Sequence, residues 1–253
     1  MRFRREPLRF PQVFHDAWKG FPGVASFRMG LMNRKQFLST LSAAGLALAL
    51  MPAGAALAQQ QSISSKDFQA LSGHVPTEAA PGKIEVVEFF WYGCPHCYAF
   101  DPTISAWSKR LPEDVVFRRV HVPFFNRPHQ QMFYALQAIG REDDDTRNLI
   151  FDAIRNQHKP MQQLDEMKEV LAAAKVDPKA FENAYNSFGV KTQIQRANKL
   201  TTAYGIDGVP TLGINGRYTT SPSVAGSNER AIVVLDELIQ RERGQQGADG
   251  AGK

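Results

Sequence analysis

Residues 83–100 read KIEVVEFFWYGCPHCYAF, and the fold follows from how this stretch divides. Lys83 to Trp91 is a nearly continuous run of Val, Ile, Phe and Trp, without the alternation of a half-exposed strand. It predicts a strand buried on both faces, and therefore central in a sheet. Gly93 ends it. Beyond Cys94, the residues Ala99, Thr103, Ala106, Trp107 and Leu111 keep helix-like spacing, and Pro102 is expected to kink that helix. Leu111-Pro112-Glu113-Asp114 reads as a turn and Val115 to Val122 as a second strand. The pieces form a β-α-β unit with Cys94-Pro95-His96-Cys97 at the helix N-terminus.

These are the only two cysteines in 253 residues. So few cysteines exclude a disulfide-stapled scaffold. Zinc held by paired CxxC knuckles is excluded too, and half a zinc site lacks a second pair of ligands. A purely structural disulfide over so short a loop restrains little chain entropy. Redox chemistry fits better, because the spacing lets the sulfurs close a small disulfide ring. Helix N-terminal N–H groups favour an anion there, and His96 stabilises a thiolate further. Cys94, at the helix entrance, is the expected attacking cysteine, and Cys97, one turn in and more buried, its resolving partner. Each unit by which the Cys94 pKa falls stabilises the reduced form by about 1.4 kcal/mol, or roughly 30 mV for a two-electron couple. That direction makes an oxidant, passing its disulfide to a substrate dithiol.

Two further positions stand out. Glu88 lies six residues before Cys94 inside the apolar run. It is either a buried carboxylate that relays a proton when Cys97 ionises, or a side chain facing a polar layer or solvent. Val209-Pro210 directly precedes strand-like Thr211 to Ile214. A cis bond there would face Val209 toward the disulfide and leave its N–H and C=O to pair with an extended substrate strand. The other histidines with no mutual metal spacing, His74, His121, His129 and His158, read as surface or structural groups. Phe124, Phe125, Met132 and Phe133 either line a peptide groove or belong to the core.

From Gln130 to about Tyr204 the pattern is helical: Leu164, Met167 and Leu171 form one stripe, and Phe181, Tyr185 and Phe188 another. Asp177-Pro178 reads as an N-cap with Pro at the first helical position. Thr211–Ile214, Asn215-Gly216 and Arg217–Thr220 read as a hairpin on a type I′ turn. Ile232, Leu235 and Ile239 mark a final helix, and the Gly/Gln-rich residues 244–253 are expected to be disordered.

At the other end, Asn33-Arg34-Lys35, the uncharged run Phe37 to Ala58 and the exit Ala56-Leu57-Ala58 describe a secretory signal peptide over 32–58, cleaved near Ala58–Gln59. A membrane anchor is the alternative, but the run is broken by Gly45, Pro52 and Gly54. Residues 1–31 read as an upstream extension, with a basic DNA-binding arm as the alternative. Residues 1–58 hold eight Lys/Arg and two Asp/Glu, so the remaining 195 residues carry 22 basic against 23 acidic groups, a net of −1 rather than +5. The basic pI near 9.2 thus belongs to export, and no electrostatic case for nucleic acid survives.

Over roughly residues 66–243 the chain resembles the DsbA family of bacterial periplasmic thiol-disulfide oxidases. The resemblance rests on Val87-Glu88-Phe89-Phe90, Cys94-Pro95-His96-Cys97-Tyr98, Leu111-Pro112-Glu113, Val120-His121-Val122, Asn186-Ser187-Phe188, Gly208-Val209-Pro210 and Ile214-Asn215-Gly216-Arg217-Tyr218. It implies an α/β thioredoxin fold with an inserted all-helical subdomain: thioredoxin parts at 66–123 and 205–243, and helices at 124–204. It implies that Cys94 is the nucleophile, Cys97 its partner, Pro210 a cis-proline and Glu88 the buried acid, with Pro95 and His96 completing the catalytic motif and Val209 contacting substrate. The implied partners are reduced, newly exported polypeptides and a DsbB-like quinone-linked inner-membrane protein that reoxidises the pair. A periplasmic monomer using neither cofactor nor metal is expected. The segment Phe124–Gln131 and the residues before Met32 depart from the better-known pattern. So does Thr211, whose hydroxyl would tune the disulfide if it lay near the sulfurs. The rival functions are a disulfide isomerase or reductase, which usually needs an added dimerising domain that residues 59–82 are too short to supply, a non-catalytic peptide-binding chaperone, and an enzyme of small thiols.

Overall fold

The computed structural model describes residues 62–124 and 126–251. The expected signal peptide and upstream extension, and Phe125, lie outside the described residues. Strand β2 (Ile84–Phe90) is buried at all seven positions, Glu85 and Glu88 included, as a central strand requires. It pairs parallel with β3 (Val115–His121) on one side and antiparallel with β4 (Thr211–Ile214) on the other. Strand β5 (Tyr218–Thr220) and the short β1 (Gln69–Ala70) complete the order β1-β5-β4-β2-β3. Asn215 (φ 47°) and Gly216 (φ 67°) join β4 to β5, the positive-φ pair a type I′ turn needs. Helix α1 (Pro95–Ser108) crosses from β2 to β3, and Pro102 sits inside it without ending it.

Between β3 and β4 the chain forms α2 (Arg127–Ala138), α3 (Asp144–Arg155), α4 (Leu164–Ala172), α5 (Pro178–Tyr185) and α6 (Phe188–Ala203). Side chains start four of them: Asn126, Asp143, Asp177 and Ser187 accept from the N–H three residues on. The expected stripe Phe181-Tyr185-Phe188 is broken by one of these caps. Helix α5 stops at Tyr185, Ser187 restarts the chain, and Phe188 opens α6 at 83% exposure. After β5 come the short α7 (Pro222–Ala225) and the long α8 (Asn228–Ala251). The tail expected to be disordered from Gly244 instead continues α8 to Ala251. Extending an existing helix avoids the cost of nucleation, and Gln and Ala favour it. None of the described helices is long and apolar enough to cross a membrane.

The sheet separates two cores. Ile84 and Val86 pack with Phe100, Ile104 and Trp107 of α1 and Val234, Leu235 and Leu238 of α8. Val87 and Phe89 face the other way, into a core with Met132, Phe133, Phe151, Met167 and Phe181 from the inserted helices. Met132 and Phe133 are therefore core rather than groove. This is the thioredoxin fold with an inserted helical subdomain. The design brings the end of β2, the start of α1 and the start of β4 to one place.

Candidate active site

Gly93 ends the turn after β2 because the Trp91 ring lies over it, only 2.2 Å from where a Cβ would stand. Cys94 follows as the N-cap of α1, with extended backbone (φ −80°, ψ 119°). Its carbonyl takes the first helical hydrogen bond, from Tyr98 N–H at 3.1 Å. Pro95 fills the first helical position, where its missing N–H costs nothing. The Cys94 sulfur takes the cap role usually held by an oxygen, accepting from the Cys97 N–H at 3.3 Å.

Both cysteines are free thiols, Cys94 6% and Cys97 1% exposed. Their surroundings drive them apart. The Cys97 S–H, the backbone N–H groups of Cys97 and His96 and the His96 side chain together pull the Cys94 thiol down to about 6, against burial, which raises it. Burial and the adjacent Cys94 sulfur push Cys97 far above an ordinary thiol.

The Val209–Pro210 bond is cis. It brings the Val209 carbonyl within 3.4 Å of Cys94 Sγ, whose S–H donates to it. The Thr211 hydroxyl donates to the Gly208 carbonyl at 2.9 Å, so it is engaged within the proline loop and not with the sulfurs. Beside the cysteines a cavity of about 510 Å³ opens, lined by His96, Ala99, Val209, Pro210 and the polar stretch Ser221 to Ser223.

Glu88 is 1% exposed on β2, which settles its place: it faces no solvent. Arg119, opposite it in the β2–β3 register, donates through Nε to Glu88 Oε2 at 2.8 Å. Burial nevertheless pushes Glu88 up to about 7, against the pull of Arg119. After burial and the Cys94 sulfur, the charge of Glu88 adds to the raising of Cys97. Arg119 was not among the residues singled out from sequence, nor were Asp101 of α1 and Arg147 of α3, which surround it. The pair Arg118-Arg119 within a strand was the available signal, but finding that Arg119 meets Glu88 required the register.

The residues 85–231 match the DSBA-like thioredoxin domain. The chain belongs to the DsbA family of thiol:disulfide oxidoreductases. The thiol:disulfide interchange protein DsbA of Pseudomonas aeruginosa is 46% identical over 182 residues, 71% of this chain and 85% of that protein. Its counterpart from Azotobacter vinelandii is 44% identical over 215 residues, 84% of this chain and all of the relative. The crystal structure of Pseudomonas aeruginosa DsbA superposes with a TM-score of 0.71 at 43% identity, covering 75% of this chain and 98% of that one. The helical stretch that supported the resemblance forms α2 to α6 between the two parts of the sheet, and the Val209–Pro210 bond that the resemblance implied to be cis is cis.

Proposed function

We propose that this DsbA-family protein is a periplasmic oxidase that donates a Cys94–Cys97 disulfide to reduced, newly exported polypeptides. The reading rests above all on one observation: the opposed proton affinities of two cysteines one helical turn apart, Cys94 held down and Cys97 pushed up. A substrate thiolate attacks Cys94 Sγ, and the Cys94–Cys97 bond breaks. Cys97 leaves as a thiolate that the surroundings disfavour, so it takes a proton from Glu88, which at about 7 still carries one in part of the population. A second substrate thiolate then attacks the substrate sulfur of the mixed disulfide. Cys94 leaves as a stabilised thiolate, and the substrate holds the new disulfide. The protein ends as a dithiol, two electrons richer, and a DsbB-like quinone-linked membrane protein returns it to the disulfide.

The Val209 carbonyl accepts the Cys94 S–H while that group is protonated. Ionisation or disulfide formation releases it, and it is then free to pair with an extended substrate backbone. Pro95 fixes the helix start, and the His96 N–H and side chain help hold the Cys94 thiolate. The signal peptide over 32–58 supports a periplasmic setting, where a disulfide persists.

Trapping tests the reading. With Cys97→Ala, a reduced unfolded substrate is expected to accumulate as a mixed disulfide at Cys94 after oxidative loading of Cys94 with a small disulfide. Cys94→Ala is expected to trap nothing. Equal trapping by both variants, or by neither, would remove Cys94 from the nucleophile's role.

A further inference from the structure

Behind the cysteines, the described core contains a chain of buried charge that sulfur exchange itself does not require. It begins at Arg147 on α3, which is 2% exposed. Arg147 Nε donates to Asp101 Oδ1 at 2.7 Å, and its terminal nitrogens donate to Ser105 Oγ at 3.0 Å and Glu142 Oε1 at 2.9 Å. Asp144 pairs with it as well. Asp101 and Ser105 are one turn apart on α1, and the same two side chains also meet Arg119. A terminal nitrogen of Arg119 donates to Ser105 Oγ at 2.9 Å and lies 3.6 Å from Asp101 Oδ1, while its Nε holds Glu88. An unbroken series therefore runs from Glu88 through Arg119, the Asp101–Ser105 pair and Arg147 to Glu142 in the helical insertion.

We propose that Arg147 and Asp101 are positioning residues that govern how firmly Glu88 holds its proton, coupling the active-site acid to the inserted helices. The proposal rests on Glu88 serving as the relay described above. Asp101 is divided between two guanidinium groups, closer to Arg147 than to Arg119. Without Arg147, Asp101 has Arg119 as its remaining guanidinium and draws it away. Glu88 then faces less positive charge and keeps its proton to higher pH. Without the Asp101 charge, Arg119 is left to Glu88 and a like charge disappears, so Glu88 loses its proton at lower pH. Other titratable groups surround this series. From α1 there is Cys97, from β4 only Leu212 lies opposite, and Glu142 and Asp144 stand behind Arg147, with Lys109 on Asp144. Buried ion networks commonly add little stability over apolar packing of the same volume, so stability alone is a weak account of this one.

The experiment is a carboxyl-carbon NMR titration of Glu88 in the full, reduced chain with labelled glutamate, assigned by its loss in Glu88→Gln. Arg147→Met is expected to move the Glu88 midpoint up by about one pH unit and Asp101→Asn to move it down by about as much. Arg147→Lys, which keeps the charge but not the fork, is expected to fall between wild type and Arg147→Met. Opposite signs are the signature, since a purely structural role would loosen the fold without a signed shift. If Arg147→Met does not fold, Asp101→Asn and Arg147→Lys carry the test. Midpoints that stay in place, or that move the same way for Arg147→Lys and Asp101→Asn, overturn the proposal. The relay reading fails separately: it falls if Glu88→Gln leaves the pH profile of mixed-disulfide exchange unchanged, whereas the titration still decides the coupling.

Discussion

Cys94 and Cys97 carry the same thiol and sit three residues apart, yet one is pulled toward the thiolate and the other held away from it. The strongest pull on Cys94 comes from the Cys97 S–H, then from backbone N–H groups, with His96 behind them. Removing Cys97 is therefore expected to raise the Cys94 midpoint by about a unit or more, and by more than His96→Ala does, read as thiolate absorbance against pH. A larger effect of His96 would reverse that order. Glu88 carries a pH dependence of its own. Its folded pKa, about 7, lies above its ordinary value of 4.5. The folded state therefore holds a proton that the unfolded chain has lost between those values, and stability falls as pH rises through the window. Glu88→Gln removes this loss. Denaturant unfolding is expected to show the variant gaining on the wild type from pH 4 to 8, by up to roughly 3 kcal/mol. A pH-independent difference would contradict the burial of an ionisable Glu88. At this scale the sequence was readable where chemistry lies in local spacing, as in CPHC and in Glu88 within an apolar run. Arg119, Asp101 and Arg147 were hidden because strand register and helix docking, not spacing, bring them together.

At the scale of elements, the legible parts were those whose local physics agrees with their place in the fold. The run 84–90 is buried on both faces and formed the central strand. Asp177-Pro178 began α5 as its capping chemistry requires. Phe188 misled because its period matched α5, while the Ser187 cap made it the start of a different helix. The residues from Gly244 misled because their composition favours solvent, whereas α8 was already nucleated upstream. The hairpin behind the proline loop has the least tolerance. Gly216 has φ 67°, and a Cβ there would lie 1.9 Å from the Val75 carbonyl oxygen. Gly216→Ala is expected to cost at least about 2 kcal/mol in denaturant unfolding, from backbone strain and this clash together. A loss below ~0.5 kcal/mol would mean that the N-terminal segment does not lie against the turn.

For the whole molecule, the proposed activity requires a Cys94–Cys97 disulfide poised to be given away. The charge excess of the full chain sits in residues 1–58, so the part that folds around Cys94 makes no electrostatic claim on nucleic acid. What it commits instead is a thiolate. At pH 7 Cys94 is about one unit above its folded pKa and two below the ordinary thiol value of 9. Ionisation then stabilises the folded dithiol by about 1.4 kcal/mol, roughly 30 mV, and by about 4 kcal/mol at pH 9 and above. That contribution disappears as pH falls through 6. In the proposed relay, the inserted helices reach Glu88 through Arg147, Asp101 and Arg119, so their packing would bear on the proton supply for Cys97. The most direct measurement is the equilibrium of the Cys94–Cys97 disulfide with glutathione buffers between pH 6 and 9. The disulfide is expected to be reduced by mild glutathione, with an equilibrium constant that rises by close to tenfold per pH unit between about pH 6.5 and 8, where reduction releases a proton from Cys94 while glutathione keeps its own. A disulfide that survives strongly reducing buffer, with no dependence on pH over that range, would show that Cys94 is not a stabilised thiolate and that the protein is not an oxidant.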